Sequence, residues 1–299
     1  METTVTAHCG SADRIDRIAD ETVDLVVTSP PYPMIAMWDG LFAGREPRVA
    51  TALAEGDGAA AFELMHQELD RCWDELRRVL RPGGIACLNL GDATRSLAGT
   101  FGFYPNHARV LAHLIRLGFA FLPDILWRKQ TNAPTKFMGS GMLPVGAHVT
   151  YEHEYILVAR KGPPRRFSTE ADRRRRRESA FFWEERNLWF SDLWLDLKGT
   201  TQVAADRSAS RRTAAFPFEL ACRLVCMFSV KGDTVLDPFV GTGTTLVAAA
   251  ACGRHGIGVE LDPDLGPVIA ASVERVPGVA NLHNLGRLTR HMAFAAQRA

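Results

Sequence analysis

Cysteine is scarce in this chain of 299 residues: there are six, none in a CxxC pair and none beside a histidine cluster. That spacing argues against structural zinc and predicts a reduced protein with no metal. No apolar run approaches the roughly 20 residues that span a bilayer, so no membrane segment is expected. The opening METTVTAHCG lacks a basic-then-apolar leader, which argues against export and for a cytoplasmic location. Repeats of fixed period are absent, and net charge is only +1, so overall charge points to no polyanionic partner.

The distribution of charge says more. Between Arg160 and Arg212 there are 14 Lys and Arg against 8 Asp and Glu, a net of +6, while the rest holds 21 against 26, a net of −5. PPRR and the run Arg173 to Arg177 fall in that stretch, followed by FFWEERNLWFSDLWLDL with its crowded aromatics. A basic segment on a slightly acidic body predicts a localised nucleic-acid or phosphate contact, set in an insertion outside the sheet. Trp183, Trp189 and Trp194 read as the small core of that insertion.

Elsewhere strands alternate with helices. Strands are predicted at Val5–His8, Val23–Thr28, Ile85–Leu90, near Phe119–Arg128, at Tyr151–Arg160, at TVLDPF and at GIGVEL. Helices are predicted at Ala59–Leu80, Pro105–Leu117, Pro217–Phe228 and Leu246–Cys252, with a helical turn from Ser11 to Ala19 and a long loop from Met34 to Gly58. Continuous apolar runs such as VDLVV suit parallel strands covered on both faces, so the expected fold is α/β with a mostly parallel sheet.

Two motifs carry chemistry. DPFVGTGTT (Asp237 to Thr245) joins a strand to a helix, where Gly241 and Gly243 permit a tight turn and close approach of a ligand. Glu260 ends the next strand, where a carboxylate can accept both hydroxyls of a ribose. No lysine follows the glycines as a P-loop demands, and Leu246 stands where a dinucleotide fingerprint would end. A nucleoside cofactor without a pyrophosphate fits best, and S-adenosylmethionine is the candidate. The other motif, TSPPY (Thr28 to Tyr32), ends a buried strand on a serine, two prolines and a ring. Ser29 Oγ and the Pro30 carbonyl suit an exocyclic amine that must be held by its hydrogens before its lone pair can attack. Tyr32 offers a face on which an extruded base would stack.

TSPPY followed by DPFVGTGTT resembles the amino-methyltransferases of DNA, which modify cytosine N4 or adenine N6. The order, tetrapeptide first, insertion next and glycines last, looks like their circularly permuted beta group. The likeness extends over ILWRK, HEYILVARKG and GRHGIGVELDP. It implies a Rossmann-like S-adenosylmethionine-dependent methyltransferase fold with a seven-stranded sheet. Residues 1–160 would form the catalytic half, 161–205 the recognition insertion, joined by parts of 129–150, and 206–299 the cofactor half.

The resemblance places the target base on Ser29, Pro30, Pro31 and Tyr32. It places the cofactor on Gly10, Ser11, Thr28, Phe216, Pro217, Asp237, Pro238, Phe239, Gly241, Gly243, Thr244, Thr245, Glu260 and Leu261. Double-stranded DNA would meet Arg165, Arg166, Arg173, Arg174, Arg175, Arg176 and Arg177. Serine in the first tetrapeptide position goes with cytosine N4, adenine N6 being the alternative. A homodimer and a cognate restriction endonuclease are further partners of such bacterial or archaeal enzymes. Two places depart from the family: Gly10-Ser11 where Gly-Asp is common, and Arg212 to Ala215 where His-Pro precedes Phe216-Pro217. Cytosine C5 chemistry is excluded, since it needs a cysteine after proline and none of the six follows one.

Overall fold

The computed structural model describes residues 3–129, 138–199 and 216–298. Strand β1 (Val5–Cys9) opens the chain, and the next residues close turns at Ser11–Arg14 and Ile15–Ile18 instead of the expected helical turn. All six residues of β2 (Val23–Thr28) are buried, as its apolar run predicts.

The expected loop at 34–58 is helical: α1 covers Asp39–Arg45 and α2 covers Arg48–Glu55. Its Gly- and Ala-rich composition hides short amphipathic stretches that bury Phe42, Val49 and Ala52. Pro47 starts α2, and Gly56 ends it with φ +78°, a backbone conformation that favours glycine. Helix α3 (Gly58–Val79) is capped by Asp57, whose side chain accepts the Ala60 N–H at 2.9 Å, and buries Met65, Leu69, Trp73 and Leu76 on one stripe.

RPGG does not stand outside the next strand but opens β3 (Leu80–Leu90), absorbed by an irregularity in its pairing with β2. A hairpin follows, β4 (Ala93–Leu97) with β5 (Thr100–Tyr104), then α4 (Asn106–Arg116), β6 (Phe119–Phe121) and β7 (Ile125–Arg128). A second small hairpin pairs β8 (Met138–Gly139) with β9 (Ala147–His148), and β10 is His153–Lys161. The insertion contains α5 (Glu170–Glu178), α6 (Trp183–Trp189) and β11 (Leu193–Trp194). The chain closes with α7 (Phe218–Phe228), β12 (Thr234–Asp237), α8 (Thr244–Ala251), β13 (His255–Glu260), α9 (Gly266–Glu274) and α10 (Val276–Ala296).

Among the described residues the main sheet has nine strands in the order β1-β13-β12-β2-β3-β10-β7-β11, with β6 also on β10. Only β10 runs against the rest. Seven strands were expected, and the two extra are the short segments β6 and β11. The second is a correction of kind, because the insertion supplies an edge strand through Leu193 and Trp194. Trp189 and Trp194 therefore lie in the main core with Trp127, while Trp183 is exposed. Two of the buried indoles find carbonyl partners, Trp127 at Leu197 and Trp194 at Trp189, each at 3.0 Å.

Helices α1 to α4 cover one face of the sheet around Trp73, while α7, α8 and the insertion cover the other around Trp127. The expected halves thus share one sheet, joined where β2 pairs in parallel with β12 (Leu25 with Val235, Val26 with Leu236). The chain runs outward from that line in both directions, making it the crevice where ligands bind in such sheets. The boundary expected at residue 205, and Arg212 to Ala215, lie outside the described residues. No helix among the described residues is long and apolar enough to cross a membrane.

Candidate active site

A cavity of about 380 Å³ opens at the carboxyl ends of β1, β13, β12 and β2. Register explains the convergence: Cys9 pairs with Glu260, Gly258 with Asp237, and β12 with β2, so the residues that follow each strand meet above the sheet edge. Gly10, Ser11, Ser29, Pro30, Pro31, Phe216, Asp237, Pro238, Phe239, Gly241, Thr244, Glu260 and Leu261 all line it, as the sequence reading expected.

Thr28, Gly243, Thr245, Pro217 and Tyr32 are not among its lining residues. Gly243 starts α8 at φ +89°, and Pro217 caps α7. Thr28 and Thr245 act one layer down, donating to Asp237 Oδ1 at 2.5 Å and Oδ2 at 2.6 Å respectively. Phe239 N–H adds a bond to Oδ1 at 3.1 Å, so Asp237 ties β2, β12 and α8 together. Burial pushes its carboxyl up to about 6 in spite of these bonds.

Glu260 is fixed by backbone on both oxygens: Gly241 N–H donates to Oε2 at 2.8 Å and Asp262 N–H to Oε1 at 3.0 Å. Each oxygen keeps a lone pair for a ligand hydroxyl, and Gly241 at φ +55° supplies the turn that makes this possible.

The other wall comes from the supposed loop and from α3. Trp38, Leu41, Phe42 and Arg45 from α1 and its lead-in, with Glu68, Leu69 and Cys72 from α3, complete the cavity. Trp38, Leu41, Phe42 and Arg45 recur at three and four, a helical spacing that was legible inside the supposed loop. Arg45 gathers the region that follows β1, donating to Ser11 Oγ at 2.8 Å, to Glu68 Oε2 at 3.2 Å and to Asp13. Ser11, at the departure from the family's Gly-Asp, is thus held by a cation that already carries two carboxylates.

Beside the cavity, the tetrapeptide is wired to β3 and β10. Tyr32 Oη lies 2.7 Å from Ser29 Oγ, 2.9 Å from Asn89 Nδ2 and 3.1 Å from Glu154 Oε2. Lys129 Nζ donates to the other Glu154 oxygen at 2.7 Å. Donor counting orders this chain. The Glu154 carboxylate and the Asn89 carbonyl, at 3.1 and 3.3 Å, only accept, so the single Tyr32 proton goes to the nearer and charged Glu154, and Tyr32 Oη accepts from Asn89 Nδ2 and from Ser29. Ser29 Oγ is left with its lone pairs for an incoming N–H, and burial, which raises the Tyr32 pKa well above its ordinary value, keeps the phenol a donor.

The Tyr32 ring is only 6% exposed, so the stacking face expected of it is covered in this structure. It packs on Gly91, where a Cβ would come within 2.7 Å of the ring, and glycine is what lets the two approach. Asn106, fully buried, donates to Pro33 O at 3.1 Å and Gly91 O at 2.9 Å and locks the loop after the tetrapeptide to the end of β3. Asp92 accepts the His107 N–H at 3.0 Å in the first turn of α4.

The arginines fall elsewhere. Arg165 donates to Asp24 Oδ1 at 3.1 Å and Asp233 Oδ2 at 2.6 Å, at the amino ends of β2 and β12. Asp24 lies five steps along the strand from Ser29, about 16 Å at roughly 3.3 Å per step. Arg173, Arg174 and Arg177 on α5 pair with Glu170 and Glu178 of the same helix, Arg175 faces Asp233 at 3.8 Å, Arg176 lies over the Phe167 ring, and Arg166 is exposed. The structure therefore does not bring the arginine segment together with the cavity. The run is a helix whose charges are largely matched locally, docked at the opposite end of the sheet. What does face the catalytic end is the β4–β5 hairpin and residues 138–152, with Phe101 stacked on His148 and Phe103 beside Tyr151.

A parallel sheet with a glycine turn, a ribose-competent carboxylate and a held serine at its switch point defines a nucleoside-cofactor enzyme of the doubly wound class. The family can be stated as well: residues 23–270 match the N6/N4 DNA methylase family, and the chain belongs to it. It is 48% identical over 299 residues to the Type II methyltransferase M.MthZI of Methanothermobacter thermautotrophicus, covering all of this chain and 84% of that protein. To M.MjaI of Methanocaldococcus jannaschii it is 46% identical over 275 residues, 88% of this chain and 89% of the relative. Among solved structures, TTHA0409 of Thermus thermophilus in complex with S-adenosyl-L-methionine superposes with a TM-score of 0.70 at 34% identity, covering 92% and 97% of the two chains. The PvuII cytosine-N4-specific DNA methyltransferase shares the fold, with a TM-score of 0.63 at 17% identity over 93% of each chain. The fold is that of the S-adenosylmethionine-dependent methyltransferases, as the order of motifs implied.

Proposed function

We propose that this protein transfers a methyl group from S-adenosylmethionine to the N4 amine of a cytosine extruded from duplex DNA. The observation that carries this reading is the Ser29 hydroxyl, held by Tyr32 as an acceptor at the lip of a cavity whose far side presents Glu260. The cavity suits the cofactor: Glu260 has lone pairs for two ribose hydroxyls, Leu69, Phe239 and Leu265 offer apolar walls, and the Asp237 carboxylate complements a cation. When bound, the cofactor supplies an electrophilic methyl on a sulfonium.

The protein supplies the aim. A nucleobase amine is a weak nucleophile because its lone pair is delocalised into the ring. Acceptance of its N–H bonds by Ser29 and the rigid Pro30 backbone would draw that pair out of conjugation as the new bond forms. Trp38, on the wall that the sequence reading left as a loop, is placed to cover the reacting groups.

Serine in the first tetrapeptide position supports cytosine over adenine. The hairpins at the catalytic end, β4–β5 and residues 138–152, are the surface we assign to the DNA. The Type II designation of both archaeal relatives supports a role beside a cognate restriction endonuclease, in the cytoplasm where its DNA is. The test is mass analysis of nucleosides from DNA of a host expressing the protein. N4-methyldeoxycytidine is expected, and N6-methyldeoxyadenosine in its place would overturn the choice of base while leaving the class intact.

A further inference from the structure

Half of the cysteines converge away from the cavity. Cys222 and Cys252 each place a sulfur, and His283 a ring nitrogen, within 4.8 Å of one another. Cys226 Sγ lies 3.6 Å from Cys252 Sγ. These side chains come from three helices: Cys222 and Cys226 from α7, Cys252 from the cap of α8, and His283 from α10. No short ligand spacing announces such a set in the sequence, which is why the sequence reading set metal aside.

Small apolar packing would account for buried cysteines, but it does not account for the histidine. The His283 side chain is only 6% exposed, its Nε2 is buried with no hydrogen-bond partner, and its Nδ1 faces Glu219 Oε2 at 3.8 Å. A carboxylate on Nδ1 favours the tautomer that leaves Nε2 as a lone pair, the usual arrangement behind a metal-ligating imidazole.

We propose that Cys222, Cys252 and His283 form a binding site for a soft divalent cation of the zinc class, stapling α10 to α7 and α8. Two thiolates and one imidazole are zinc donors that leave a bound dication neutral, with the fourth position of a tetrahedron open. The staple has a structural purpose. Helix α10 spans 21 residues, none fully buried, and exposes Leu282, Leu285 and Met292. Its other anchors are the Arg287 fork on Glu185, at 2.6 and 2.7 Å, and His291 on Glu184.

The test uses the full chain and needs no DNA or cofactor. Elemental analysis and native mass spectrometry of protein purified without added metal should show one zinc per chain. After chelation under reductant, titration with Co²⁺ should give one equivalent of near-ultraviolet thiolate-to-cobalt charge transfer and intense visible bands of tetrahedral cobalt. Cys252→Ser should abolish the signal, His283→Gln should weaken binding at least about tenfold, and Cys9→Ser, an exposed thiol elsewhere, should leave it unchanged. The proposal is overturned if the reduced wild-type chain binds neither zinc nor cobalt with these bands. Wild-type binding by Cys252→Ser and His283→Gln would overturn it equally.

Discussion

Replacing Tyr32 by phenylalanine separates two roles of one side chain. The ring stays, packed on Gly91, so its apolar packing is preserved. The hydroxyl goes, and with it the acceptor that fixes the Ser29 proton at 2.7 Å and the donor to Glu154 at 3.1 Å. Glu154 Oε2 keeps Asn89 Nδ2 at 2.6 Å, and Lys129 still satisfies Oε1, so the carboxylate is not stranded. The folding cost is therefore that of one hydrogen bond to a charged group, about 1.5–3 kcal/mol. The catalytic cost arises because the freed Ser29 hydroxyl can turn its proton toward the amine instead of accepting from it. Loss of one such bond in the transition state, about 1–2 kcal/mol, corresponds to a fall in kcat of about 5- to 30-fold. Single-turnover transfer of labelled methyl groups to duplex DNA would read this, with calorimetric cofactor affinity and KM for DNA expected to hold. Adding Ser29→Ala to the variant should cost far less than Ser29→Ala alone, because the two act as a unit. An unchanged kcat in a merely less stable Tyr32→Phe protein would refute the donor ordering.

Other consequences can be checked separately. Glu260→Gln sets an amide NH₂ against the N–H of Gly241 or Asp262, so cofactor affinity should fall about 10- to 100-fold by calorimetry, and normal affinity would remove Glu260 from the ribose. Asp237, raised to about 6 by burial, holds a proton in the folded chain that the unfolded chain, with an ordinary value of 3.8, has released. Folding stability from this group is therefore highest below pH 4 and declines as pH rises to 6. A sulfonium favours the ionised form, so affinity for S-adenosylmethionine should weaken below pH 6, by up to about tenfold per unit, with a shallower trend for the uncharged S-adenosylhomocysteine. Glutamine at Arg173, Arg174 and Arg177 together should change DNA affinity less than about threefold at physiological salt, since these groups are paired within α5 at the far end of the sheet. A large loss, with a smaller salt slope in fluorescence anisotropy, would return the DNA to that helix.

What the sequence by itself determined is what short-range chemistry carries. The VDLVV run can be little else than a doubly covered strand. The Gly241 and Gly243 turn needs φ values that favour glycine. The distance from that turn to Glu260 is one helix and one strand, so the carboxylate had to return to the same crevice. The Ser-Pro-Pro-Tyr stretch was legible because its rigidity serves no turn or cap. Tertiary structure alone decided where distant pieces meet. Whether an arginine run reaches the catalytic end depends on which end of β10 the chain leaves from, and it leaves at Lys161, beside the amino end of β3. Tyr32 became the centre of a hydrogen-bonded chain because β3 and β10 bring Asn89 and Glu154 beneath it, 57 and 122 residues away. Cysteines on two helices meet His283 on a third through packing that no local spacing encodes. Periodicity and turn chemistry act over a few residues, whereas a site is assembled by strand register and helix docking between residues that the chain keeps far apart.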